Sequence, residues 1–183
     1  MPDAFDLLGI EPRFSIDAAD VERRHRELLA QLHPDRHRAP ECVPARDLEL
    51  EPDARESLLT QLGDINNAYR VVSDPIRRAE QLLRRRGVVP DSKAAPELLA
   101  RIFEQREAVD DATQRGDVDS LSNYATAARK RQSAFIEELA AFFEIESARV
   151  SVPQQTQIAR VLDELRYLKK LIERAELALD DLL

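Results

Sequence analysis

An all-α fold is predicted from three observations. Glycine is scarce, at 4 in 183 residues, and Trp is absent. Leu, Ala, Glu and Arg are abundant, and these side chains lose little freedom in a helix. Apolar residues recur three and four positions apart over long stretches instead of alternating, which is the period of a helix with one buried face.

The elements follow in order. Asp3 to Ile10 reads as a short helix with Phe5 and Leu8 inward and Leu7 at the margin, closed by Gly9 and the Glu11-Pro12 step. Ser15 or Asp17 caps a second helix, whose Val21, His25, Leu28 and Leu32 make one stripe until Pro34 stops it. That stripe predicts that His25 is at least partly buried. From Arg36 to about Pro52 prolines and mixed charges without periodicity predict a long loop. A third helix runs from roughly Asp53 to Val72 with Leu58, Leu62, Ile65, Tyr69 and Val72 on one side. Ser73-Asp74-Pro75 breaks it, and Pro75 suits the first position of a fourth helix through Arg86.

Gly87 to Ser92 holds Gly and Pro close together and marks the best boundary, giving units at 1–87 and 96–183 with a linker at 88–95. Beyond it the helices lengthen: about Pro96 to Arg115, Val118 to Glu146 and Gln154 to Leu182. The last carries Ile158, Val161, Leu165, Leu168, Ile172, Ala175, Leu179 and Leu182 at alternating three and four spacing. The middle one repeats this with Leu121, Ala125, Ala128, Phe135, Leu139 and Phe142. Two short connections favour an antiparallel three-helix bundle within one chain.

Composition narrows the function. With 27 Lys and Arg against 35 Asp and Glu, the net charge of −8 argues against a general nucleic-acid binder, whose affinity comes mainly from neutralised phosphates. A single cysteine, Cys42, excludes an intramolecular disulfide framework and a zinc site of several thiolates. The first residues lack a basic start followed by an apolar run, and no stretch approaches the roughly 18 apolar residues of a membrane span, so a cytoplasmic protein without a membrane partner is expected. His33, His37 and Cys42 are poor metal ligands as a set, because Pro34 interrupts the helix that would align the imidazoles and no fourth ligand is evident. No Ser-His-Asp set, glycine-rich phosphate loop or paired buried carboxylates are found, so neither an enzyme nor a cofactor is expected.

His33-Pro34-Asp35 stands at the end of a helix bearing Arg23, Arg24 and Arg26 and before a helix with Asn66-Asn67-Ala68-Tyr69 and Asp74-Pro75. The tripeptide alone means little, since about 1% of chains this long would hold it by chance. Taken by itself it is a helix end with a proline stop and a solvent-facing Asp. In its setting between the second and third of four short helices, it resembles the J-domain that activates seventy-kilodalton heat-shock chaperones. Over its whole length the chain resembles the HscB-type iron–sulfur co-chaperones. Arg13-Phe14-Ser15-Ile16-Asp17, Arg77 to Leu83 leading to Gly87, Arg106-Glu107 and Leu165-Arg166-Tyr167-Leu168 carry that narrower likeness. The chain departs from it at His25, where the family usually has a large aromatic, at Gln81 in place of a usual Tyr, and in a longer loop after Asp35.

The resemblance implies a J-domain at 1–87 and a scaffold-binding bundle at 96–183. It implies that Asp35, projected by the rigid turn at Pro34 and oriented by His33, engages the chaperone and speeds its ATP hydrolysis. Physically, an exposed carboxylate can take up a partner's arginine in a strong, oriented bond. Arg23, Arg24 and Arg26 read either as a solvated helix face or as groups that steer docking. The arginines at 77, 78 and 84 to 86 read as solvated, or as touching the J-domain's own acidic residues.

In the fifth helix Leu98, Ile102 and Val109 form the core stripe, while Leu99 and Phe103 lie about 100° away, in line with Glu107 and Asp111. That edge either widens the core or forms an apolar patch of Leu99, Ala100 and Phe103 rimmed by Glu104, Glu107 and Asp111. The resemblance places a scaffold-binding surface there, with Ala100 smaller than the family's usual side chain. Tyr167 is expected to join it, lying off the stripe of the last helix. A J-domain protein for another client, or a helical structural or oligomerisation protein with an accidental tripeptide, remains as the alternative.

Overall fold

A computed structural model describes residues 3–32, 52–89, 95–145 and 150–182, the side chains of the second stretch from residue 56 onward. Seven helices are present among them: α1 (Ala4–Leu8), α2 (Ala18–Gln31), α3 (Pro52–Ser73), α4 (Pro75–Arg85), α5 (Pro96–Arg115), α6 (Val118–Glu144) and α7 (Val152–Asp180). The chain divides into two compact units, Met1–Leu82 and Leu83–Leu183.

In the first unit the caps are side-chain carboxylates. Asp3 Oδ1 accepts from Phe5 N at 2.9 Å and Asp17 Oδ1 from Ala19 N at 2.9 Å, so Asp17 is the cap of α2 and Ser15 is not. Asp74 Oδ1 accepts from the amides of Ile76 and Arg77 at 2.9 and 3.2 Å, which starts α4 immediately after α3 ends. Helices α1, α2 and α3 pack pairwise around Phe5, Leu8, Val21, Ile65, Ala68 and Val72. On α2 only Val21 is fully buried; His25, Leu28 and Leu32 are half-buried. The side of α3 follows the expected stripe, with Ile65 and Val72 buried and Leu58, Leu62 and Tyr69 half-buried.

In the second unit all three pairs of α5, α6 and α7 pack on one another, as a three-helix bundle requires. Gly116 ends α5 at φ 63, a left-handed conformation that a side chain would strain, and Asp117 at once caps α6 by accepting from Ser120 N at 3.0 Å. Helix α7 begins at Val152, two residues earlier than its pattern suggests, because Pro153 is tolerated in a first turn whose amides need no partner. Its core residues Val161, Leu162, Leu165, Leu168 and Ala175 are essentially inaccessible. Burial of each leucine stabilises by about 1.5–3 kcal/mol. Leu182, expected inside, is exposed: it lies beyond the end of α7 at Asp180, in a closing turn where its amide bonds the Leu179 carbonyl.

Candidate functional site

Helix α5 carries the candidate partner face. Pro96 sets its first turn, and Leu98, Val109 and Ala112 are buried in the bundle core with Ile102 against them. The outward side is a different surface. Leu99 is 46% and Phe103 71% exposed, so neither widens the core. Ala100, Glu104, Glu107 and Asp111 are all exposed beside them. None of the three carboxylates is paired among the described residues, so the apolar patch has an uncompensated negative rim. Such a surface suits a partner offering an apolar anchor and basic groups around it.

Tyr167 does not lie on this open patch. It is 8% exposed and belongs to the core, with its hydroxyl donating to Gln105 Oε1 at 2.7 Å. The expectation failed because α7 is packed from two sides: an apolar stripe counted at three and four spacing describes a helix with one neighbour, whereas α5 and α6 together cover a wider arc. The same arc buries Glu164, 3% exposed, which no apolar pattern could flag. Its carboxylate pairs with Arg101 of α5 and, at 3.4 Å, with Arg131 of α6. Burial raises the Tyr167 phenol above its ordinary value, with Arg101 and Arg131 opposing and Glu164 adding to the rise.

In the first unit, His33, Pro34 and Asp35 lie outside the described residues, as do His37 and Cys42. The helix leading to them is described. Arg23 pairs with Asp20 and Glu27, Arg24 with Glu27 at 3.7 Å, and Arg26 with Glu22 at 3.7 Å, all on the exposed face of α2. The three arginines are therefore balanced by carboxylates one turn away, and the positive field they project is weaker than their side chains alone suggest. His25 is half-buried, as its spacing predicts: its ring stacks on Tyr69 with centroids 4.2 Å apart, and Nε2 lies 2.9 Å from Asn66 Oδ1. An imidazole thus takes the aromatic place between α2 and α3.

Two arginines expected in solvent are structural. Arg78 donates to the carbonyls of Phe14 at 2.6 Å, Val72 at 2.7 Å and Ser73 at 3.2 Å, and its guanidinium lies 5.2 Å from the Phe14 ring centroid. Burial lowers its pKa, with Asp74 opposing. Arg86 lies over Phe142 and Phe143. Charge runs hide such roles because a long side chain can bury its stem and planar head against carbonyls and rings. Arg77, Arg84 and Arg85 are exposed.

Comparison with known proteins finds relatives of the chain and solved structures with its fold. A family model described as "HSCB C-terminal oligomerisation domain" matches residues 94–176. A "Co-chaperone protein HscB homolog" of Neisseria meningitidis is 31% identical over 170 residues, covering 91% of this chain and 96% of that protein. One from Paraburkholderia xenovorans is 29% identical, covering 88% and 90%. The structure of chaperone HscB from Vibrio cholerae superposes with a TM-score of 0.75 at 25% identity over 100% of both chains. The crystal structure of human co-chaperone protein HscB matches with a TM-score of 0.74 at 19% identity, over 97% of this chain and 82% of that one, which is a likeness of fold.

Proposed function

We propose, from the premise that this chain belongs to the HscB co-chaperone family and has its fold of N-terminal J-domain and C-terminal helical bundle, that it is an adaptor with two binding faces. The J-domain, at 1–87, recruits an Hsc-type seventy-kilodalton chaperone and stimulates its ATPase through His33, Pro34 and Asp35. The bundle, at 96–183, holds an iron–sulfur cluster scaffold protein through Leu99, Ala100, Phe103, Glu104, Glu107 and Asp111. Tyr167, buried in the core, is left out of that face. The chain contributes no catalytic group of its own, and the cluster is cargo of the scaffold. No helix among the described residues is long and apolar enough to cross a membrane, and we assign the work to the cytoplasm.

The observation that carries the scaffold half is Phe103, exposed to 71% on a helix whose other side already completes the core. A large aromatic left in water beside uncompensated carboxylates is a ready anchor for a partner. Asp35 supplies the oriented contact of the other half, and Arg23, Arg24 and Arg26 add a modest, salt-sensitive contribution to encounter. Holding the scaffold on the protein that triggers hydrolysis raises its effective concentration at the chaperone.

Titrating the scaffold into the full-length protein tests this reading. Saturable binding lost on Phe103→Ala supports it. A J-domain protein with another client would leave the scaffold unbound yet still stimulate the ATPase. Concentration-dependent self-association with neither activity would favour the structural alternative.

A further inference from the structure

Three polar pairs join α5 to α7 at almost the same sequence offset. Arg101 bonds Glu164, 63 residues on; Gln105 accepts from Tyr167, 62 on; and Asp110 accepts from Arg174 Nε at 2.6 Å, 64 on. A constant offset is what two parallel helices in one fixed register produce, since each rises by about 1.5 Å per residue. The pairs differ in burial. Glu164 is 3% exposed, whereas Arg174 and Asp110 are 45% and 34% exposed in their side chains. Glu164 is also the only buried charged residue among those described, and Arg131 binds it from α6, so all three helices meet at one carboxylate.

Apolar packing alone does not fix such a register. Leu98, Ile102, Val109 and Ala112 share an apolar cluster with Leu168, Leu171, Ile172, Ala175 and Ala178 of α7, and apolar contact has no direction of its own and tolerates sliding or rotation better than a polar pair does. A buried carboxylate tolerates neither. Moving α5 by one residue would carry Arg101 about 100° round the helix and leave Glu164 with only Arg131, which is the costly state of an under-compensated buried charge. The same rotation would carry Phe103, together with Leu99 and Glu107, about 100° from its present direction and change how the whole face is presented.

We propose that Glu164, clasped by Arg101 and Arg131 and seconded by the Gln105–Tyr167 and Asp110–Arg174 pairs, is a positioning residue: it sets the rotation and register of α5 and thereby the presentation of the Leu99–Phe103 face. This rests on the reading of that face as the scaffold-binding surface. Buried ion pairs add little net stability compared with apolar groups of like size, while in some helical assemblies a single buried polar residue fixes the register. The seam's role is specificity of arrangement, which separates it from ordinary core residues.

Two variants of the full-length protein test the proposal. Glu164→Gln leaves two arginines without their carboxylate. The combined Arg101→Met, Glu164→Leu, Arg131→Met variant replaces the whole triad by apolar groups and keeps the fold. Leu139→Ala, a core truncation away from the seam, serves as the control. Scaffold affinity is measured well below every melting temperature, and paired spin labels at Gln114→Cys and Lys170→Cys, in a Cys42→Ser background, report the α5–α7 distance without any partner. The expected result is that the triple variant melts within a few degrees of the parent, binds scaffold at least 10-fold more weakly, and shows a broadened or shifted label distance. Leu139→Ala should melt lower yet keep the parental distance and affinity. A triple variant with the parental affinity and a single parental distance overturns the proposal. Should the parent itself not bind scaffold, the reading of the face fails alone, and the label distances still decide the positioning role.

Discussion

Tyr167 donates its phenolic hydrogen to Gln105 Oε1 at 2.7 Å, and this bond ties the α7 aromatic to a side of α5 two residues, or about 200°, from the open face of Phe103. One aromatic of the region is therefore structural and the other is free for a partner. Tyr167→Phe removes one buried hydrogen bond and should cost about 0.5–1.5 kcal/mol, while Tyr167→Ala should cost about 3–5 kcal/mol, as truncation of a large buried ring does. Chemical denaturation of both variants measures this.

The raised phenol of Tyr167 also sets a pH dependence. Its folded pKa lies above the ordinary 10.0, so the unfolded chain releases this proton first. The associated stability is fully present below the unfolded value and is lost as pH rises through the folded one. Melting temperature should therefore fall above about pH 10. Tyr167→Phe should fall less steeply over the same range.

Phe103→Ala should change stability by no more than about 0.5 kcal/mol, because its side chain is largely in water, and Leu99→Ala by about 1 kcal/mol, because that side chain is partly covered. Scaffold binding should weaken with Phe103→Ala by about 2 kcal/mol or more, as for a central aromatic anchor. Glu104→Gln with Glu107→Gln should slow association and reduce its salt sensitivity, since rim charges act through steering. Melts and titrations on the same proteins separate anchor from core.

The division between these aromatics shows where the sequence is readable. Seven helices, Asp17 as one of two offered caps, and the outward turn of Leu99 and Phe103 all follow from short-range rules: capping chemistry, proline and glycine stops, and a 3.6-residue period. Tyr167 and Glu164 depend on how many neighbours α7 has, which is a property of assembly. Arg78 is similar, since its three carbonyl acceptors come from residues 14, 72 and 73, brought together only by folding. His25 was readable as inward from Val21 and Leu28, but its stacking on Tyr69 required the pairing of α2 with α3.

Arg78→Lys should destabilise the first unit by about 1–3 kcal/mol, because an ammonium cannot serve the three separated carbonyls that the guanidinium fork reaches. The loss should be visible as a lower denaturation midpoint.

His25→Ala should cost about 0.5–1.5 kcal/mol through the lost stack on Tyr69, whereas His25→Phe should keep the stack and stay near the parental stability. Thermal melts of the two variants decide whether the ring or its nitrogen matters more.

The central claim is that this chain activates a chaperone through the carboxylate of Asp35 while its bundle presents the scaffold. Steady-state ATP hydrolysis by the Hsc-type chaperone measures it directly, with the full-length protein and with Asp35→Asn, each with and without scaffold. The account requires stimulation by the parent, a further increase when scaffold is present, and no stimulation by Asp35→Asn at unchanged melting temperature and scaffold affinity. Equal stimulation by the parent and Asp35→Asn, or an ATPase rate that neither protein alters, would contradict it.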